Sequence, residues 1–328
     1  MKVAVLIPTF NRLPLLREAL ASARAQTHRD LEILVSDDGS TDGTLEFVRE
    51  ESAVDPRVRL VAKNPEPGLF TNINHLLRQA AAEAYCILAD DDRLLPEFVE
   101  KLLRPVINDR NVIASFCDHW VMDVGGQRLA EDSELNTRLW GRDELPPGEV
   151  LDATALALRG SMCMGFSLYR SSAFRDQPFD LACGGAADFD YAIRAASKGK
   201  LYYVAERLGE YRSHAASATS TRTDYMLRGA IHAFDKHRFD QPRYERLRRE
   251  KLRYVTLAHA LFASTADRRA WAASARRYLA AGGSPFNPRL VLSLLLALQP
   301  RGAAARLKAW LKRKRAQSAR RLWRGSAA

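Results

Sequence analysis

The chain of 328 residues is 47% hydrophobic and 27% charged, which is typical of a folded globular protein and excludes a disordered chain. It has 50 Lys and Arg against 39 Asp and Glu, a formal net charge of +11, but ten of the basic residues and none of the acidic ones lie in residues 301–328. The first 300 residues are therefore nearly neutral, which argues against a nucleic-acid-binding fold with a basic face and indicates a basic tail.

Strand-like and helix-like segments alternate over the first hundred or so residues. The apolar patterns predict strands at 3–7, 31–36, 58–62 and 85–89, and helices at 13–25, 44–51, 72–82 and 96–103. This alternation predicts βαβ units and a parallel sheet whose two faces are covered by helices. Ligands of such sheets bind at the carboxyl ends of the strands, where two acidic clusters fall.

The remainder of the chain changes character twice. Strand candidates at 112–116, 166–169 and 201–204 are separated by loops rich in Gly and Pro, and the pattern becomes helical from about residue 223, with a helical pair at 244–264 and 267–281. We therefore expect an α/β domain over residues 1–218, a helical extension over 219–300 and a basic amphipathic tail over 301–328.

The acidic clusters are Asp37-Asp38, after the second strand, and Asp90-Asp91-Asp92, after the fourth. Adjacent carboxylates repel one another and raise each other's pKa. A hard divalent cation, Mg²⁺ or Mn²⁺, removes that penalty because it prefers oxygen ligands. Each cluster alone is also compatible with a solvated turn, the second one leading into a helix N-terminus. Two clusters at the strand ends of one sheet are hard to explain as coincidence.

Six sequence blocks in order resemble the signatures of the family 2 glycosyltransferases with the GT-A fold. They are VAVLIPTFNR, EILVSDDGSTDGT, NPEPGL with Asn74, YCILADDDRLLP, AADFDYAIRAASKGK and GEYRSHAAS, and together they cover about residues 2–218. The resemblance implies an α/β GT-A domain with a mostly parallel central sheet flanked by helices, followed by a C-terminal helical region.

The resemblance also implies roles for individual residues. Asp91 would hold a divalent metal, Mn²⁺ or Mg²⁺, that bridges the donor diphosphate, and His214 would approach that metal or the diphosphate. Asp188 would be the catalytic base. The nucleotide would be bound by the residues Pro8, Thr9, Phe10, Asn11, Asp37, Asp38 and Asp90.

The sequence departs from the family pattern at two positions. Ala187 precedes Asp188 where family members often have Glu, and Ile73 precedes Asn74 where a basic residue is frequent. Asp190 is a rival for the base, although its spacing from Asp188 points to a different face of the segment.

The expected function is metal-dependent, inverting transfer of a sugar from a nucleotide-diphosphate sugar, a UDP-sugar by family precedent, to a saccharide or lipid-linked acceptor in surface polysaccharide synthesis. A non-catalytic nucleotide-sugar-binding protein is an alternative, motivated by Ala187 and Ile73. A sugar-nucleotide nucleotidyltransferase is another, although the Gly-rich phosphate loop of that class is missing after the first strand. Nucleic-acid binding through the tail is a third alternative that we do not favour.

The expected location is cytoplasmic, at the inner face of the cell membrane. The four cysteines are scattered, only six apolar residues precede Pro8, and the longest apolar run, at 290–298, has nine residues against about 20 for a membrane-spanning helix. In the tail, Leu307, Trp310 and Leu311 share one helical face among basic residues. This pattern predicts peripheral contact with an anionic membrane through 301–328, with a solvated tail as the alternative.

Overall fold

The computed structural model describes residues 1–61, 66–213, 223–264 and 266–298. The chain folds as two compact units, Met1–Arg222 and Thr223–Ala328. His214 and the tail at 301–328, for which the sequence predicts a metal or diphosphate contact and membrane binding, lie outside the described residues.

The first unit is built on a single mixed sheet. Its strands are β1 (Val3–Thr9), β2 (Leu31–Asp37), β3 (Val58–Val61), β4 (Ala84–Ile87), β5 (Arg93–Leu94), β6 (Val112–Met122), β7 (Arg128–Leu129), β8 (Gly148–Glu149), β9 (Ser167–Arg170) and β10 (Lys200–Arg212). Their order is β3-β2-β1-β4-β9-β6-β10-β5, with β7 beside β6 and β8 beside β10. β1, β2, β3 and β4 pair in parallel, as do β6 and β10, whereas β9 runs antiparallel between β4 and β6. The predicted α/β class is confirmed.

Helices cover both faces of this sheet. They are α1 (Leu13–Arg24), α2 (Thr44–Val54), α3 (Leu69–Gln79), α4 (Phe98–Asn108), α5 (Ala130–Leu139), α6 (Ala153–Arg159) and α7 (Ala187–Ala196). α4 continues past its predicted end at Leu103 and contains Pro105, although proline costs roughly 3 kcal/mol inside a helix. Leu102 and Val106 are fully buried on one face of α4, so packing keeps the helix intact.

The parallel strands form the core of the unit. All seven residues of β1 are buried, as expected for a strand with helices on both sides of the sheet. Ile7 packs in one cluster with Leu16 and Leu20 of α1 and with Val35 of β2. Each such side chain contributes about 1.5–3 kcal/mol when it leaves water.

The strand register brings three loops to one edge of the sheet. Thr9 at the end of β1 pairs with Asp37 at the end of β2. On the other side of β1, Leu6 pairs with Ile87, and the amide of Leu88 donates to the Leu6 carbonyl at 2.9 Å. The loops that follow β1, β2 and β4 therefore start side by side.

The second unit is helical. It contains α8 (Thr223–Lys236), α9 (Pro242–Ala263), α10 (Arg268–Ala280) and α11 (Pro288–Leu298). His259 ties three of them together, since its Nδ1 lies 2.6 Å from Ser274 Oγ and its Nε2 lies 2.9 Å from Asp224 Oδ1. Asp267 caps α10 by accepting from the amides of Arg269 and Ala270. Among the described helices of the chain, none has the length and apolar character needed to cross a bilayer.

Candidate active site

The loop after β1 binds directly to the acidic cluster after β4. Thr9 Oγ1 donates to Asp90 Oδ2 at 2.8 Å. The guanidinium of Arg12 donates through Nη1 to Asp90 Oδ1 at 3.0 Å and to Asp91 Oδ2 at 2.8 Å. The sequence predictions name Thr9, Asp90 and Asp91 but miss Arg12, whose only signal is its place at the end of the first block. Arg12 supplies a positive charge that partly offsets this cluster.

The carboxyl groups of the cluster are held in an environment that disfavours their charge. Burial raises the pKa of Asp90, the Arg12 guanidinium opposes the rise and the Asp91 carboxylate adds to it. Burial and then the Asp91 carboxylate raise the pKa of Asp92 well above its ordinary value, although the amide of Arg212 donates to Asp92 Oδ1 at 2.9 Å. A cation bound at this edge would reverse both effects, and carboxylate oxygens are the donors that Mg²⁺ and Mn²⁺ prefer.

The loop after β2 is fastened to the loop after β1. The amide of Asn11 donates to Ser40 Oγ at 2.7 Å, and Asn11 Oδ1 accepts from the amide of Thr41 at 2.8 Å. Asn11 has φ of 50°, and among the described residues it is the one non-glycine residue with positive φ. Such a conformation is uncommon outside glycine and persists where neighbouring contacts fix it, as they do here.

The two predicted nucleotide-binding acids of this loop have different environments. Asp37 is buried and accepts from the amide and the hydroxyl of Ser40, so its carboxylate closes the turn. Asp38 Oδ2 accepts from the amide of Gly68 at 2.8 Å, whereas Asp38 Oδ1 is buried and has no hydrogen-bond partner in the described part of the chain. A buried acceptor without a partner costs about 1–3 kcal/mol, so Asp38 is suited to accept from a bound ligand.

The two remaining predicted nucleotide residues lie in β1 and just after it. Pro8 is buried and pairs in register with Ser36, which fixes the end of the strand. Phe10 is 52% exposed, although it is a large apolar ring that follows a fully buried strand. An exposed ring at a ligand-binding edge offers a flat apolar surface for a planar group.

Asp188 and its rival Asp190 lie in the first turn of α7, in different surroundings. Asp188 Oδ1 accepts from the amide of Phe189 at 2.9 Å, and burial raises the pKa of Asp188 to about 6 against the opposing effect of backbone hydrogen bonds. Asp190 is fully buried and pairs with Arg194 Nε at 2.9 Å. The Asp190 carboxylate is therefore held in a buried ion pair with Arg194. Ala187 is completely buried, so the Glu that family members often have at this position would require the surrounding side chains to repack.

Cys163 links Asp188 to the acidic cluster. Burial raises the pKa of the Cys163 thiol to about 11, with Arg142 opposing the rise, and the carboxylates of Asp92 and Asp188 both add to it. A Cβ added to Gly165, two residues on, would lie 3.9 Å from Asp92 Oδ2. The charges of Asp92 and Asp188 therefore both act on the Cys163 thiol, and Gly165 lies close to Asp92.

A family model and individual relatives identify the family of the chain. The model described as "Glycosyl transferase family 2" matches residues 4–177, more than half of the chain. The chain belongs to glycosyl transferase family 2. The resemblance predicted from the sequence blocks is confirmed.

Two family 2 relatives show how much of each protein is shared. GalNAc(5)-diNAcBac-PP-undecaprenol beta-1,3-glucosyltransferase of Campylobacter jejuni is 33% identical over 143 residues, 42% of this chain and 46% of that protein. Chondroitin synthase of Escherichia coli is 25% identical over 203 residues, 62% of this chain and 27% of that protein. The chain therefore spans less than half the length of either relative.

Solved structures give the fold. Staphylococcus aureus TarS 1–349 in complex with UDP-GlcNAc has a TM-score of 0.64 at 16% identity, covering 86% of this chain and 81% of that one. The mannosyltransferase PcManGT of Pyrobaculum calidifontis, in complex with GDP-Man and Mn²⁺, has a TM-score of 0.58 at 18% identity, covering 94% and 84%. The predicted GT-A fold is confirmed.

Asn74, which belongs to one of the family blocks, holds two parts of the first unit together. Asn74 is buried, its Nδ2 donates to the Phe179 carbonyl at 2.9 Å and its Oδ1 accepts from the Phe179 amide at 2.8 Å. This pair fastens α3 to the segment that precedes α7. Ile73, where family members often have a basic residue, is fully buried in α3, so a charged side chain is excluded at that position unless the helix shifts.

Arg212, in the last family 2 block, is a second basic residue that the sequence predictions miss. It is 2% exposed, its Nε donates to the Asp91 carbonyl at 2.9 Å and its Nη2 lies 2.6 Å from Glu18 Oε2. Arg212 thereby holds the loop that carries the acidic cluster from the side of β10. The predicted metal contact His214 follows two residues later, outside the described residues.

An aromatic pair lies beside Asp188. The Trp140 and Phe189 rings have centroids 6.3 Å apart, and Trp140 is 37% exposed. Both rings pack on Gly160, which has φ of +82°, since an added Cβ would lie 2.5 Å from Phe189 Cε1 and 2.9 Å from Trp140 Cζ3. Glycine is therefore required here for both conformation and space. The exposed side of Trp140 is a flat apolar surface, and its contact with Phe189 brings it next to the predicted base, Asp188.

Proposed function

We propose that this protein is an inverting glycosyltransferase that transfers a sugar from a nucleotide-diphosphate donor, a UDP-sugar, to a saccharide or lipid-linked acceptor in surface polysaccharide synthesis. The observation that carries the proposal is the joining of the loops after β1, β2 and β4 at one sheet edge by hydrogen bonds of Thr9, Asn11 and Arg12. The UDP-GlcNAc complex of TarS supports the donor class. The name of the Campylobacter enzyme, which includes an undecaprenol-linked acceptor, supports the acceptor class.

In this proposal the nucleotide lies along the edge formed by β1 and β2. Asp38 Oδ1, which has no hydrogen-bond partner among the described residues, accepts from the imide N–H of uracil. The exposed ring of Phe10 stacks on the base. Thr9 joins the end of β1 to Asp90, Asn11 joins the loop after β1 to the loop after β2, and Asp37 closes the turn of the latter loop. Asp90, fixed by Thr9 and Arg12, stands beside the ribose.

Departure of the diphosphate requires that its developing negative charge be neutralised. Asp91 would hold a divalent cation, Mn²⁺ or Mg²⁺, which supplies this neutralisation and a template for the diphosphate. Arg12 and Arg212 both position the Asp91 loop, Arg12 through the side-chain carboxylate and Arg212 through the backbone carbonyl. The contact of His214 with the cation or the diphosphate, which the sequence resemblance implies, stays a prediction because His214 lies outside the described residues.

Asp188 removes the proton from the acceptor hydroxyl. A base whose pKa is close to the working pH combines a large ionised fraction with strong proton affinity, and burial brings Asp188 toward that range. With base and leaving group on opposite faces of the sugar, displacement is in line and the anomeric configuration inverts, following the logic of inverting glycosidases.

The donor class is tested by the thermal stability of the protein in Mn²⁺ with a panel of nucleotide-diphosphate sugars, because a ligand that binds only the folded form raises the apparent stability. We expect UDP-sugars to raise the unfolding temperature, and proton NMR of the product to show inverted anomeric configuration. A protein that binds a donor tightly but transfers it to no acceptor would instead be a non-catalytic nucleotide-sugar-binding protein.

The pH dependence follows from the raised pKa of Asp188. Because the base acts in its ionised form, kcat/KM for transfer should rise with pH through about 6 and level off above it, with metal held at saturation. The measurement is initial rate against pH between weakly acidic and neutral conditions, with UDP affinity followed in parallel. A rate that is flat through pH 6, or that tracks UDP affinity throughout, would argue against Asp188 as the base.

Trp140 is the proposed contact for the acceptor. Trp140→Ala should raise KM for the acceptor by about five- to tenfold, since the stacking surface is lost, and leave KM for the donor unchanged. Trp140→Phe, which keeps an aromatic face, is the matched control and should retain most of the acceptor affinity. An equal rise of both KM values would show that the ring supports the fold of the site and does not contact the acceptor.

A further inference from the structure

The helix α11 has two apolar faces, of which one is covered. Its inner face is buried and is fixed to the unit by Trp271, whose Nε1 donates to Ser293 Oγ at 2.9 Å. Its outer face consists of four aliphatic residues whose exposed fractions are 41%, 40%, 53% and 66%: Val291, Leu294, Leu295 and Leu298. Their spacing of i, i+3, i+4 and i+7 places them in one stripe along the helix. We call these four residues the outer stripe.

An exposed aromatic residue precedes α11 in the chain. Phe286, just before α11, is 86% exposed. Arg289 is the only charged residue of the helix and lies in its first turn. Single exposed leucines are ordinary on protein surfaces, but a contiguous apolar stripe with an exposed phenylalanine marks an interaction surface.

Charge in the adjoining sequence favours an anionic bilayer as the partner. Residues 301–328 contain ten Lys and Arg and no Asp or Glu, and they follow α11 closely in the chain. An apolar helix face next to a run of basic residues is the combination that holds a helix in the plane of an anionic membrane. α11 has 11 residues and is about 16 Å long, so it is too short to span the hydrocarbon core and is suited to lie flat on it.

We propose that the outer stripe of α11, with Phe286, docks on an anionic lipid bilayer, and that the basic residues of 301–328 supply the electrostatic part of the attachment. The surface lies in the second unit and contains none of the residues assigned to catalysis. Its use, to bring the enzyme to a lipid-linked acceptor, rests on the proposed function.

Vesicle co-sedimentation of the full chain tests the proposal. The vesicles are phosphatidylcholine alone or phosphatidylcholine mixed with phosphatidylglycerol. We expect the wild-type protein to partition onto the mixed vesicles, and the double variant Leu294→Glu/Leu298→Glu to lose about tenfold or more in partitioning. The matched control is Val54→Glu/Leu151→Glu, which places the same charges at exposed apolar positions of the first unit, 73% and 92% exposed, and should bind as the wild type does.

Further measurements separate the other outcomes. Circular dichroism and the unfolding temperature establish that the variants fold, and donor turnover with a water-soluble acceptor should be equal in the wild type and in Leu294→Glu/Leu298→Glu. Loss of vesicle binding with retained turnover supports the proposal, and absence of turnover in every form contradicts only the proposed function. Equal vesicle binding by Leu294→Glu/Leu298→Glu would overturn the inference. A wild-type dimer in solution that this variant converts to a monomer would also overturn it, since a second copy would then cover the stripe.

Discussion

Asp188→Asn should lower the rate of sugar transfer by about 10²- to 10⁴-fold, the usual contribution of a general base, and leave UDP affinity unchanged. The substitution keeps the size and the hydrogen bond from the Phe189 amide to the side-chain oxygen, but it removes the ability to take a proton. It also removes a carboxyl group whose pKa burial raises to about 6, so it should not destabilise the fold at neutral pH.

Single-turnover rates with saturating donor and acceptor measure this effect separately from substrate binding. The matched control is Asp176→Asn, at an exposed aspartate of the same unit, which should transfer at the wild-type rate. If Asp188→Asn transfers within a few fold of the wild type, the base lies elsewhere. A large loss of UDP affinity would show that Asp188 acts in donor binding.

Asp91→Asn should remove the metal-dependent part of UDP affinity, a loss of about 10²-fold. Substitution of a residue that hydrogen-bonds to a metal ligand typically lowers metal affinity 10- to 100-fold. Loss of a direct ligand should lower it at least as much. Asp91 lies between Asp90 and Asp92, whose pKa values are both raised, and its carboxylate accepts from Arg12. Without the Asp91 charge the cluster attracts a cation more weakly, while Asn still accepts the Arg12 hydrogen bond.

Calorimetric titration with UDP in Mn²⁺ and in EDTA measures the loss. The wild type should bind much more tightly in Mn²⁺, and Asp91→Asn should bind equally weakly in both. Asp143→Asn, at an exposed aspartate, is the control and should keep the wild-type difference. A Mn²⁺ effect of undiminished size in Asp91→Asn would mean that the cation is held by other residues, or that Asp91 serves only to position the loop through Arg12.

The architecture of the first unit follows from sequence periodicity to a large extent. The β1 to β4 segments are apolar runs separated by amphipathic helices, and burial of both sheet faces makes that pattern strong. The antiparallel direction of β9 has no such signal, because a short apolar strand has the same periodicity in either direction. The continuation of α4 through Pro105 also cannot be predicted from local sequence, because the tertiary packing of Val106 outweighs the free-energy cost of proline in the helix.

The sequence predicts only part of the candidate site, because several of its contacts join residues that are far apart in the chain. Acids at strand ends are conspicuous, and Thr9, Asp90 and Asp91 do converge. Arg12 and Arg212 reach them across sequence separations of 79 and 121 residues, which no local pattern reveals. The sequence gives no reason to distinguish Asp37 from Asp38. In the structure Asp37 accepts from Ser40 and closes the turn, whereas Asp38 Oδ1 has no hydrogen-bond partner among the residues that the structure describes.

The most direct test of the central claim is one series of UDP titrations in Mn²⁺ with Asp38→Asn, Asp91→Asn and Asp188→Asn, each paired with its transfer rate. If one cleft holds the base, the metal and the reacting sugar, all three variants should lose transfer, but only Asp38→Asn and Asp91→Asn should lose UDP affinity. Unchanged UDP affinity in both Asp38→Asn and Asp91→Asn would contradict the account, because the nucleotide would then bind away from the edge formed by β1, β2 and β4.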